Sequence, residues 1–350
     1  MSEINFDPVT LTQSLVKCAS VTPKDEGALT VVENHLSAIG CDCHPLTFSG
    51  NNSYEVKNLF ATIGNEGKHF AYAGHTDVVP VGNESSWKYP PFSAQIDGGK
   101  LYGRGSEDMK SSVACFISAA KRFVDKYKNI PGKISFIITG DEERDSVNGT
   151  PRILEWASKQ NYKFDHCLVG EPTSKNEVGD KVKIGRRGSV SFFFQVKGIQ
   201  GHTANSHLAE NSSHHLVNLL NSILEEPLDE GNENFLPTSV QIATIDIGNP
   251  VQNVIPELAK ATVNIRFNDM HSSDSLIKWI DNKIEKIFSK LENASCTYTY
   301  DATAESFLNK AGDLYNIISK SISDVTGRNS PPEQATDGGT SDARYIKNYC

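Results

Sequence analysis

No apolar run in this sequence approaches the roughly 18 residues needed to span a bilayer; Ile134 to Thr139 and Ser189 to Val196 have strand length. No cluster of Lys or Arg occurs and the net charge is −9, which argues against nucleic acid or an anionic membrane as partner. The seven cysteines (Cys18, Cys41, Cys43, Cys115, Cys167, Cys296 and Cys350) never stand in a Cys-x-x-Cys spacing. That excludes a zinc ribbon and a disulfide framework, and the thiols read as buried groups in a reducing cytosol. Residues Met1 to Asp7 are polar and acidic and lack the apolar core of a secretory signal. Internal repeats and low-complexity tracts are also missing. The expectation is a soluble, cytoplasmic protein of 350 residues, long enough for two domains with real cores.

Within that frame, Asp7-Pro8 predicts a capped helix to about Ala19, and Ala28 to Ile39 a second one stopped by Gly40. Strand-like runs follow at Lys57 to Ile63 and His69 to Ala73. A Pro- and Gly-rich loop lies between Pro80 and Leu101, and a helix is expected from Asp108 to about Tyr127. Ile134 to Thr139 and His166 to Val169 read as further strands. From about Gly188 the texture changes. Strands at Val190 to Lys197, Ser239 to Ile247 and Leu258 to Phe267 alternate with helices at Ser212 to Glu225 and Ser273 to Leu291. This order predicts an α+β sandwich with helices on one face of an antiparallel sheet, inserted into the first unit. A last helix, Lys310 to Val325, precedes the turn Asp337 to Asp342.

Four polar clusters sit at the edges of these elements: Gly74-His75-Thr76-Asp77, Glu107-Asp108-Met109-Lys110, Thr139-Gly140-Asp141-Glu142-Glu143 and Gly170-Glu171-Pro172. One imidazole and several carboxylates form the ligand set of a site for two divalent ions about 3.5–4 Å apart. Ligands bind outside the carboxyl ends of strands in open α/β sheets, which is where three of the clusters fall. Asp77 is a candidate to orient the His75 ring. Asp108 alone also suits a helix N-cap. Adjacent glutamates point apart, so one of Glu142 and Glu143 can bind metal while the other handles protons. His35, His214 and His215 read as helix-face or surface residues.

These segments resemble the dinuclear zinc aminoacylase/carboxypeptidase family. Further matching stretches are Leu101-Tyr102-Gly103-Arg104-Gly105, Gly185-Arg186-Arg187-Gly188-Ser189, Gln200-Gly201-His202, Asn253-Val254-Ile255-Pro256, Asn264-Ile265-Arg266-Phe267 and Gly338-Gly339-Thr340-Ser341-Asp342. The resemblance covers essentially the whole chain. It implies an α/β, zinc-peptidase-like catalytic domain with a mixed sheet flanked by helices, formed by 1–187 and 302–350. An inserted α+β sandwich, 188–301, would serve as dimerisation or lid domain. His75 and Glu171 would hold one metal and Glu143 the other, with Asp108 bridging. Glu142 would act as general base, and Asp77 would support the site. His202 would reach a neighbouring subunit's active site to assist the oxyanion. Lys183, Arg186, Ser189, Arg266, Gly339 and Thr340 would line the substrate pocket, whose cations suit carboxylates on both halves of a linear amide. Two divalent ions per subunit are implied, Zn²⁺ with Co²⁺ as an alternative, together with a small-molecule substrate and a homodimer.

The chain departs from the family pattern in three places. Asn205 stands where an aromatic is usual, and Gln252 where a second Asn is common. No His occurs after His271, so the family's downstream His ligand to the second metal is missing, and that site is expected to be weakened. Arg344 to Cys350 reads as the start of a strand, and the chain as a C-terminally truncated form. A sister deacylase, a carboxypeptidase, or a catalytically silent metal-binding dimer are the alternative readings.

Overall fold

The structure, a computed structural model, describes residues 4–50, 52–127, 129–309 and 312–350. They fall into two compact units, Met1–Thr173 with Ser341–Cys350, and Ser174–Thr340.

The first unit opens with α1 (Pro8–Lys17), where the Asp7 carboxylate accepts the Thr10 N–H at 2.8 Å and Pro8 fills the first turn. Helix α2 (Ala28–Ile39) stops at Gly40, whose φ of 97° lies in the left-handed region open to glycine. Strands β1 (Asp42–Gly50) and β2 (Ser53–Gly64) form a long antiparallel hairpin. Only its Lys57 to Ile63 portion was expected. β1 is a half-exposed edge strand carrying Pro45, so it has neither a continuous apolar run nor a clean alternation. β3 (His69–His75) follows, then a small hairpin, β4 (Gln95–Asp97) and β5 (Lys100–Tyr102), inside the Pro-rich loop. After α3 (Ser111–Lys126) come β6 (Lys133–Thr139), α4 (Thr150–Lys159) and β7 (His166–Val169).

The five strands lie in the order β1-β2-β6-β3-β7. β6, β3 and β7 run parallel, and β2 runs antiparallel to β6. One face buries Leu11, Leu36, Val113 and Ile117 from α1, α2 and α3 over Phe136 and Ile138. The opposite face buries Ile153 and Leu154 of α4 over Phe60 and Ile137. With both faces covered, β6 must be apolar at successive positions, which is why Ile134 to Thr139 was legible as a strand.

Two local expectations need correction. Helix α3 begins at Ser111, not Asp108: Ser106–Lys110 is an irregular turn with Asp108 at φ −111°, ψ 101°, and the Asp108–Met109 peptide is cis. The Asp108 carboxylate faces His75 rather than capping a helix. At the other end, Ala343–Ile346 is a short helical turn where a strand was expected. The Asp342 carbonyl accepts the N–H groups of Tyr345 and Ile346, and Ile346 packs into the second core.

The second unit contains β8 (Lys181–Lys183), β9 (Gly185–Arg186), β10 (Gly188–Lys197), β11 (Gly201–His202), α5 (Ser212–Leu224), β12 (Ser239–Asp246) and β13 (Val254–Ile255). β14 (Leu258–Phe267), α6 (Ser273–Phe288), β15 (Ser295–Ala304), β16 (Phe307–Leu308), α7 (Asp313–Thr326) and β17 (Glu333–Ala335) complete it. Its antiparallel sheet has the order β12-β14-β10-β15. Val190, Phe192, Phe194 and Val196 point to one face with period two, against Leu216, Leu220, Leu276 and Ile280 of α5 and α6. Strand β15 was not anticipated, because its Thr- and Tyr-rich residues are largely exposed on an edge. The expected start of the last helix at Lys310 lies outside the described residues, as do Met1 to Glu3 of the polar N-terminus.

Candidate metal centre

Three parallel strands end together. β3 delivers His75, β6 leads into Gly140–Glu143, and β7 leads into Gly170–Glu171. The glycines preceding two of these ligands have a steric reason. A Cβ on Gly74 would collide with Met109, and one on Gly170 with Tyr72 and Ser112. The backbone therefore passes close under α3, and His75 is buried at the strand end.

The imidazole is held from both sides. Nδ1 donates to the Asp77 carbonyl at 3.0 Å, so Nε2 is the nitrogen free to donate to Asp108 when the ring is protonated and to bind a metal when it is neutral. Nε2 lies 3.2 Å from Asp108 Oδ1 and 3.8 Å from Glu171 Oε1. Two groups of donors result, His75 with Asp108 and Glu143, and His75 with Glu142 and Glu171. In each, one ligand atom per residue lies within 4.8 Å of the others.

Asp77 is buried and has three donors. Oδ2 accepts from the Thr22 hydroxyl at 2.7 Å and the Glu143 N–H at 3.2 Å, and Oδ1 accepts the Glu142 N–H at 3.1 Å. The same carboxylate stands 3.6 Å from His75 Nδ1. Asp77 thus touches the ring through its carbonyl and fixes the glutamate turn through its side chain.

Burial pushes Glu142 up to about 8, with the Asp342 carboxylate adding to the rise and His75 opposing it. Glu171 is pushed up to about 7, again by burial first and then by Asp108. Glu143 rises for the same leading reason. Asp108 moves the other way, held low by its hydrogen bond to His75. The sequence had placed Asp342 in a motif without giving it a role. It is buried, accepts the Ser146 hydroxyl at 2.8 Å, and is one of the charges acting on Glu142.

A second group went unnoticed in the sequence. The Tyr54 hydroxyl donates to Asp141 and accepts the Asp145 N–H at 3.1 Å. Asn148, fully buried, reaches Gly50 and Tyr54 carbonyls through its amide at 3.0 and 2.8 Å. No spacing rule connects Tyr54 with residues nearly ninety positions later, so only the fold could reveal it.

The remaining candidates belong to the second unit. His202, exposed, accepts the Ala204 N–H on Nδ1 at 3.1 Å, so the proton of the neutral ring sits on Nε2. Lys183 pairs with Asp337, and Arg186 donates to the Asp337 and Gly339 carbonyls at 3.4 and 3.0 Å. Ser189 faces Arg266 across β10 and β14, and Asn264 links them, at 3.4 Å to Ser189 and 3.1 Å from Arg266 Nε. Thr340 follows Gly339 at the end of this unit.

The donor set in the first unit fits divalent cations. Glu142, Glu143 and Glu171, each raised by burial, stand with Asp108 around His75 Nε2, a concentration of acidic groups that a divalent cation would neutralise. One imidazole with carboxylates matches Zn²⁺ or Co²⁺ ligand chemistry.

The sequence profile of peptidase family M20/M25/M40 matches residues 71–350. A succinyl-diaminopimelate desuccinylase from Parvibaculum lavamentivorans is 44% identical across 98% of this chain and 86% of its own length. One from a Bradyrhizobium species is likewise 44% identical, over 98% of this chain and 89% of that protein. Among solved structures, an M20 family metallo-carboxypeptidase from Sulfolobus solfataricus superposes with a TM-score of 0.73 at 16% identity, covering 97% of this chain and 88% of its own, a likeness of fold.

Proposed function

The chain belongs to peptidase family M20/M25/M40, and we propose that within it the protein is a succinyl-diaminopimelate desuccinylase. The reaction is hydrolysis of N-succinyl-L,L-2,6-diaminopimelate to succinate and L,L-diaminopimelate, a step of lysine and diaminopimelate biosynthesis in the cytoplasm. One observation carries the hydrolytic part: Glu142 stands among the donors around His75 and next to Glu143, with burial and the Asp342 carboxylate raising its proton affinity. A carboxylate so tuned accepts a proton near neutral pH and can give it up again. The substrate follows from the desuccinylases that resemble this chain over nearly its whole length.

In this reading His75, Asp108, Glu143 and Glu171 would hold the two ions, His75 and Glu171 one and Glu143 the other, with Asp108 available to both. Two Zn²⁺, with Co²⁺ as an alternative, would polarise the amide carbonyl and acidify water when bound. Glu142 takes the proton of the attacking water and delivers it to the departing amine nitrogen. Asp77 keeps the Glu142–Glu143 backbone in place through its two N–H contacts. Lys183, Arg186 and Arg266 supply positive charge for the substrate carboxylates, with Ser189, Gly339 and Thr340 beside them.

Residues 188–301 act as the dimerisation domain. Exposed Val217 and Leu224 on α5, and Ile245 on the edge strand β12, support pairing with a second copy. His202 then serves the neighbouring subunit's site, its Nε2–H donating to the developing oxyanion. No helix among the described residues is long and apolar enough to cross a membrane. The test is hydrolysis of the succinylated substrate by purified protein before and after chelation. Turnover lost to the chelator and restored by Zn²⁺ or Co²⁺ supports the assignment, and turnover indifferent to both removes it.

A further inference from the structure

The Glu142–Glu143 pair stands on a turn between β6 and α4, where no regular element holds it. Asp77 grips the pair from the β3 side through the two N–H groups. The other side is gripped by a residue that carries no ligand atom. Tyr54, near the start of β2, donates its hydroxyl to Asp141 and accepts the Asp145 N–H at 3.1 Å. One hydroxyl therefore spans the pair, touching the residue before Glu142 and the second residue after Glu143. The same ring lies under the Arg144 guanidinium, 5.6 Å from its centroid. Asp141 is fully buried and further fixed by the Thr139 hydroxyl, which accepts its N–H at 3.1 Å.

We propose that Tyr54 is a positioning residue for the reaction, its hydroxyl clamping both ends of the turn so that Glu142 and Glu143 keep separate directions. This rests on the roles proposed above for the two glutamates. Tyr54 itself touches neither the ligand atoms nor the reacting groups. Burial pushes its phenol up, so it stays a donor to Asp141 through the working pH range. Removing such outer contacts around a metal site costs about 10–100-fold in affinity or activity.

The experiment compares wild type with Tyr54→Phe, Asp141→Asn, Asp141→Ala and Ser53→Ala, each assayed well below its own melting temperature. Tyr54→Phe keeps the ring under Arg144 and deletes only the hydroxyl. It should lower kcat about 10–100-fold. KM should stay within a factor of about two, the pattern of a contact needed in the transition state. Co²⁺ affinity, read from the visible absorption of the bound ion, should fall about tenfold. Asp141→Asn retains an acceptor for the hydroxyl and should keep most of the activity that Asp141→Ala loses. Ser53→Ala, which removes only the 2.6 Å contact to the Asp145 side chain, should match wild type. Wild-type kcat and Co²⁺ affinity in Tyr54→Phe overturn the proposal, as does an Asp141→Asn loss equal to that of Asp141→Ala. If wild-type protein releases no succinate, the substrate reading falls. The Co²⁺ affinities of the same variants then still decide the role of Tyr54.

Discussion

The Asp77 carboxylate accepts the Glu142 backbone N–H at 3.1 Å, tying the residue two positions after the His75 ligand to the proposed base. The sequence suggested that this carboxylate orients His75. In the structure the Asp77 carbonyl makes the closer contact with the ring, 3.0 against 3.6 Å, and the side chain is committed to the glutamate turn.

Asp77→Ala should therefore damage geometry and stability together. It leaves the half-buried Glu142 and Glu143 N–H groups without their acceptor, at about 1–3 kcal/mol for each unsatisfied group, while the Thr22 hydroxyl can still turn to the Val78 carbonyl at 3.4 Å. Thermal melting should shift clearly downward and kcat should fall about 10–100-fold. Asp77→Asn, which keeps one acceptor oxygen, should lie between Ala and wild type in both measurements.

Glu142→Ala and Glu143→Ala should separate by metal analysis. Loss of the base abolishes turnover while metal content stays near wild type. Loss of the ligand removes metal along with activity. Equal metal loss in the two variants would reverse or collapse the division of labour.

The raised carboxylates make the metal-free protein sensitive to pH. Glu142 at about 8 and Glu171 at about 7 bind protons more tightly folded than unfolded. Their contribution to stability is complete below the ordinary glutamate value and is lost as pH rises through 7 and 8. His75, also raised, acts in the same direction. Calorimetry of metal-free protein should show melting temperature falling between pH 5 and 8, apart from any change in proteins lacking these groups. Zn²⁺ should stabilise more at pH 8 than at pH 5, because it takes the place of the protons. A melting temperature rising over that interval in the parent, and unchanged by Glu142→Gln with Glu171→Gln, contradicts the assignment.

If His202 serves the neighbouring site, inactive His202→Ala mixed with inactive Glu142→Ala should regain part of the activity through heterodimers with one intact composite site. No recovery after verified subunit exchange places the action of His202 within its own chain, or removes it.

Much of this was legible in the sequence because the constraints were local. Gly40 ended α2 where its left-handed φ requires, and β14 ran from Leu258 to Phe267 as its apolar alternation indicated. The ligand clusters stood out because each follows or precedes a strongly apolar element. Edge strands β1 and β15 were missed, since an edge needs no apolar face to be held. The irregular backbone around Asp108 has no propensity signature: residues 106–110 share their composition with a helix start. Tyr54 was overlooked, and Asp141 and Asp342 stood in motifs without a role, because their partners are distant in sequence and meet only in the fold.

The most direct test is a parallel assay of the N-succinyl and N-acetyl forms of one L,L-diaminopimelate scaffold, with metal content measured on the same preparation. The proposed cationic pocket and Glu142 predict metal-dependent release of succinate, with kcat/KM for the succinyl form exceeding that for the acetyl form by at least about tenfold, the effect of one ~1.4 kcal/mol contact to the extra carboxylate. Equal or preferential release of acetate by the metal-loaded protein would contradict the desuccinylase assignment and point to a sister deacylase.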